Sequence, residues 1–161
     1  MVSDLLSLPK KPEEVTLVFE IRSTRAVDMR RSALKIARYT RVVEEGLRPV
    51  SVNCYLETSF AKEGEREELK SALQDILTEE NSKAKILFPS DFNYGEKINC
   101  EKRACTPLVI VFSSYPSVLG LHPSFLVGAE ISFQPQVLRA TDYDLYSSLH
   151  SYASSEQRKG K

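Results

Sequence analysis

A single α/β domain is the fold this sequence predicts, with a mixed sheet of about five strands and about three helices. Three observations carry that expectation. Stretches of period-two alternation take turns with stretches of helical period across residues 15–80. The run Leu108–Phe112 is apolar at every position, as in a strand buried on both faces. A chain of 161 residues, 42% hydrophobic and 27% charged, is ordinary globular material, enough for one core and too little for two. The competing architecture is an α+β arrangement with one open sheet face, because the first two strands alternate instead of being apolar throughout.

Residues 1–12 carry Leu5, Leu6 and Leu8 and stop at Pro9 and Pro12, which reads as an N-terminal arm. Residues 15–22 place Val15, Leu17, Phe19 and Ile21 on one face and Thr16, Val18, Glu20 and Arg22 on the other, a half-buried strand. Ser23 or Thr24 is the expected cap of a helix over 24–45, with Asp28 in its first turn. Gly46 is expected to end it in a left-handed conformation, and Pro49 forbids continuation. Residues 49–58 alternate again, Val50, Val52, Cys54 and Leu56 against Ser51, Asn53, Tyr55 and Glu57. A helix between two such strands predicts a parallel crossover.

A second helix is expected over 61–80, with Leu69, Ala72, Leu73, Ile76 and Leu77 inward. A short strand follows at 84–88, then an irregular segment at 89–107, of a length that usually carries function or hides a hairpin. After Leu108–Phe112, residues 113–128 form a Pro- and Gly-punctuated loop, 129–133 a strand and 141–153 a last helix. The expected organisation is arm 1–12, domain 13–153 and disordered tail 154–161.

Placing 24–45 on a helical wheel sorts its side chains. Ala26, Met29, Ala33, Ile36, Ala37, Thr40, Val43 and Leu47 fall in one inward stripe. Arg31, Lys35 and Arg38 lie opposite, flanked by Arg30 and Arg41, with Val27, Leu34 and Val42 among them on the outer half. Between Arg22 and Arg48 there are eight bases and three acids; between Glu57 and Glu80, eight acids and three bases. A formal net charge of zero therefore hides two oppositely charged neighbours.

Several functional classes have no support. The N-terminus lacks the basic region and apolar run of a signal peptide, and no apolar run reaches the ~18 residues of a membrane span. A cytoplasmic protein with reduced thiols and no membrane association is expected. There is no Gly-x-Ser-x-Gly elbow, no Gly-x4-Gly-Lys-Ser/Thr loop and no Gly-x-Gly-x2-Gly turn. Cys100 and Cys105 are separated by four residues without further ligands nearby, so no metal and no cofactor is expected. His122 sits in an apolar context and His150 near the polar end of the last helix. The best generic pocket is the carboxyl end of the buried strand, at Ser113, Ser114 and Tyr115.

The expectation for function is a non-enzymatic accessory or adaptor subunit of a nucleic-acid-processing complex. Its contact residues would be Arg30, Arg31, Lys35, Arg38, Arg41, Leu34 and Val42. Arginines one turn apart suit successive phosphates of RNA or DNA, and Tyr39 and Tyr55 are candidates for base stacking. Val27, Leu34 and Val42 among the bases fit the rim of a protein interface better. The partner is then another protein or a further copy of the chain, although oppositely charged halves meeting head to tail would build filaments. The alternative is a metal-dependent nuclease-like enzyme using the strand carboxylates Glu20, Glu57 and Glu130.

Overall fold

The computed structural model describes residues 11–89 and 107–159, with side chains as far as residue 154. In chain order the elements are β1 (Glu14–Glu20), α1 (Ala26–Gly46), β2 (Ser51–Glu57), α2 (Glu63–Glu79) and β3 (Lys85–Leu87). After these come β4 (Leu108–Phe112), a 3-10 turn (Pro123–Phe125), β5 (Glu130–Gln134) and α3 (Asp142–Lys159). The arm residues 1–10 and the segment 90–106, with Cys100 and Cys105, lie outside the described residues.

The five strands form one sheet in the order β3-β2-β1-β4-β5, and all four pairings are parallel. A mixed sheet was expected. The sheet is wholly parallel because residues 113–129 cross over it from β4 to β5 instead of turning back as a hairpin. β1 lies at the centre, flanked by β2 and β4, which is why Val15, Leu17, Val18 and Phe19 have no exposed surface.

The alternation read from the sequence sets which side chains go where. Val15, Leu17, Phe19, Val52, Cys54, Leu56, Leu108, Ile110 and Phe112 point to one face and pack with all three helices. Phe112 lies at the aromatic centre of that core, stacked on Phe19 at 5.0 Å and on Tyr39 at 5.4 Å. Val18, Tyr55, Val109 and Val111 point to the other face. Among the described residues that face is closed by Val118, Leu119, Leu121, Phe125, Leu126 and Ala129, all from the segment between β4 and β5, which contains no α-helix.

α1 is the middle helix of its layer. On one side Arg41 reaches Glu80 and Glu44 holds Ser82; on the other, Lys35 meets the segment leading into α3 and Arg38 meets Asp142, the first residue of α3. Neighbours on both flanks widen its buried arc beyond a single stripe, taking in Ser32 and Tyr39 as well as Met29, Ala33, Ile36, Ala37, Thr40 and Val43.

The helix ends differ from expectation. The cap position is Arg25, without a side-chain cap; Ser23 instead donates its hydroxyl hydrogen to the Asp28 carboxylate at 2.6 Å. Gly46 stays helical, and the Leu47 N–H donates to the Val43 carbonyl at 3.0 Å, so no left-handed residue is needed there. α2 starts where the Lys62 N–H donates to the Glu65 carboxylate at 2.8 Å. α3 extends to Lys159, past the expected end at 153, and takes in most of the stretch expected to be a disordered tail.

Candidate partner-docking face

Val27, Arg31, Leu34, Arg38 and Arg41 follow one another at intervals of four, three, four and three residues. That spacing lines them up along one side of a helix. All five are exposed, and the opposite side of α1 carries Ile36, Ala37 and Val43 into the core. Val27 is 51% and Leu34 55% exposed, so two aliphatic side chains stand in solvent at the same face as three guanidinium groups. Arg30 is exposed beside them, at the α2 flank, where it lines a groove with Glu68, Leu69 and Ala72.

The remaining residues singled out from the sequence are not equivalent. The Lys35 ammonium donates to the carbonyls of Ala140 at 2.7 Å, Val137 at 3.1 Å and Leu138 at 3.3 Å. It ties α1 to the segment before α3 and is spent on that. Burial lowers its pKa, as does Arg31, partly opposed by Asp142. Val42 is half-buried and packs against the core, so it is a flank of the core instead of an interface rim.

Arg38 pairs with Asp142, and Arg41 with Glu45 at 3.1 Å and Glu80 at 3.6 Å. Glu45, through a hydrogen bond and its charge, and then Glu80 raise the Arg41 pKa. These pairs are solvent-exposed and add little stability. They do lower the free positive charge of the face. Arg30 and Arg31 form no ion pair with another described residue. Tyr39 and Tyr55 are both 1% exposed, so neither ring is offered to a base. Burial pushes the Tyr39 hydroxyl up to about 12, and the Tyr55 hydroxyl donates to the Gly120 carbonyl at 3.1 Å.

The strand carboxylates separate into two places. Glu20 and Glu57 are register partners at the carboxyl ends of β1 and β2. Glu130 stands in register with Leu108, at the opposite end of the sheet. Among the described residues no three His, Cys, Asp or Glu side chains come together to hold a metal ion.

At the carboxyl end of the sheet the buried Glu20 carboxylate accepts from the Ser114 hydroxyl at 2.8 Å and the Ser114 N–H at 3.1 Å. Arg22 donates to the Ser114 oxygen at 3.1 Å and lies 5.6 Å from the Phe60 ring centre. The Ser59 N–H occupies Glu57 at 2.9 Å. Beside this network a shallow pocket of about 240 Å³ is lined by Ser113, Ser114, Tyr115 and Phe133. The buried polar groups there satisfy one another. Glu20 with Ser114 was not foreseen; the signal was present, since Glu20 ends the polar face of β1 and Ser114 follows the buried strand.

His122 is buried, its Nδ1 accepting from the Ser124 N–H at 3.2 Å, and it shapes the 3-10 turn. His150 is exposed. No protein-family model and no curated protein sequence matches this chain. Among the described residues no helix is long and apolar enough to cross a membrane.

Proposed function

We propose that this protein is a non-enzymatic adaptor or accessory subunit that docks a partner protein on the outward face of α1. The observation that carries the reading is the exposure of Val27 and Leu34, at 51% and 55%, in line with Arg31 and Arg38. A helix facing only water has no use for aliphatic side chains at those positions, whereas an interface does, with arginines around them. Phosphate backbone is the weaker target. It rewards unpaired cations and stacking aromatics, and here Lys35, Arg38 and Arg41 have intramolecular partners while Tyr39 and Tyr55 are buried.

The test places a photo-crosslinking residue at position 34 and illuminates the protein in its native cell extract. A discrete adduct is expected, and it should disappear when Val27→Glu is added. An adduct that survives Val27→Glu, or none at all, overturns the reading. Fluorescence anisotropy with labelled RNA and DNA should show only weak binding at low salt. Tight binding that falls steeply with salt and is lost in Arg31→Ala with Arg38→Ala would assign the face to nucleic acid.

A further inference from the structure

The acidic helix lies beside the basic one in the same layer, and the two are in lateral register. Met29 and Arg30 of α1 stand level with Glu68 to Ala72 of α2, and Arg41 stands level with Glu80. The exposed side of α2 carries Glu67, Glu68, Asp75 and Glu79, with Ser71, Gln74 and Thr78 between them. The outer surface of the layer is therefore a basic ridge and an acidic ridge running side by side.

We infer that a second copy of this chain occupies that surface, in a closed two-fold dimer. This inference rests on the reading of α1 as a docking face and names its occupant. A two-fold axis in the plane of contact, running along the groove between α1 and α2, turns one copy onto the other. It lays α1 of each copy on α2 of its partner, with both pairs running parallel and level. Arg30 and Arg31 then meet Glu67 and Glu68 of the facing copy. Arg38, which spends one of its donors on Asp142, meets Asp75 and Glu79. Leu34 falls between these charge clusters, over Ser71 and Gln74.

The arrangement uses the same patch on both copies, so it closes at two and does not propagate. The filaments expected from oppositely charged halves would require those halves on different sides of the molecule, and they are neighbours on one side. The alternative axis, across the helices, would set α1 on α1 with like charges opposed.

Size predicts how strong the dimer is. α1 is about 30 Å long and the two helices together about 20 Å wide, so each copy offers roughly 600 Å². Stable complexes use about 800 Å² per partner, so this dimer is weak and loosened by salt.

Sedimentation equilibrium of the full chain at low salt should give a monomer–dimer equilibrium with a dissociation constant in the micromolar range. Arg31→Glu with Arg38→Glu should raise that constant at least tenfold, and so should Glu67→Lys with Glu79→Lys. Mixed in equal amounts, the two double variants should form a one-to-one dimer, because both ridges of one are then acidic, both of the other are basic, and each of the two ridge pairs is complementary. That restoration also demonstrates that both variants are folded. A chain that stays monomeric at every concentration while position 34 still crosslinks a foreign protein overturns the second-copy inference and leaves the docking reading standing. A dimer indifferent to both charge reversals, or one abolished by Phe133→Lys on the β5 edge, also overturns it.

Discussion

The two faces of the sheet are built from the same strands and closed by opposite means. On one face, alternate residues of β1, β2 and β4 meet three helices and form a continuous apolar core centred on Phe19, Phe112 and Tyr39. On the other, fewer apolar side chains meet a loop, and polar groups complete the closure. Asn53 donates to Thr16 at 3.2 Å, Tyr55 donates to the Gly120 carbonyl at 3.1 Å, and Ser114 donates to Glu20. A helix satisfies its own backbone and can bring a wholly apolar stripe. A loop cannot, so the face it covers retains buried polar residues that bond to it.

The contrast can be broken most forcefully at Phe112. Phe112→Ala should cost about 3–5 kcal/mol in urea unfolding, since it removes the ring on which Phe19 and Tyr39 both stack. A cost below about 1 kcal/mol would mean that the helix face is not the principal core.

The next largest effect is alkaline and belongs to the same face. Burial pushes the Tyr39 hydroxyl up to about 12 from 10.0, and the Cys54 thiol up to about 12 from 9.0. Both folded-state values are raised, so the folded chain holds these protons more tightly than the unfolded chain. The stability they contribute is complete below about pH 9 and is lost progressively as pH rises to about 12. The loss is on the order of a few kcal/mol. Cys54→Ala should delay the onset from about pH 9 to about pH 10, readable in unfolding midpoints across that range.

The smallest effect tests the loop face. Tyr55→Phe removes one hydroxyl and should cost about 1 kcal/mol. Hydrogen exchange should quicken first in residues 118–129, with β1 still protected. Uniform acceleration would show that the two faces unfold as one unit and are not separately held.

Much of the fold was legible because alternation and helical period are local signals. The inward set of β1 and the inward set of β2 were both read correctly from residues 15–22 and 49–58, as was the burial of Leu108–Phe112 on both faces. The five strands and three helices of the described residues follow from those periods. The parallel return to β5 was not legible, because residues 113–129 carry no helical period, and only their packing on Val18, Tyr55, Val109 and Val111 shows how they cross. The cap at Arg25 and the helical Gly46 were misread for a related reason: several nearby residues can end a helix, and tertiary neighbours choose among them.

On α1 the division is sharpest. Composition and spacing were enough to place Val27, Arg31, Leu34 and Arg38 opposite a core stripe, since a wheel depends on sequence alone. What each side chain of α1 does depended on which elements flank the helix. Lys35 became a tether because three carbonyls from 137–140 converge on it, and Val42 became part of the core margin. Tyr39 was drawn inward onto Phe112. Val27 and Leu34 stay outside because none of the described elements reaches them. The acidic ridge was visible as a count of charges; that it lies beside the basic ridge, level and on the same surface, follows from the parallel crossover that sets α1 and α2 next to each other.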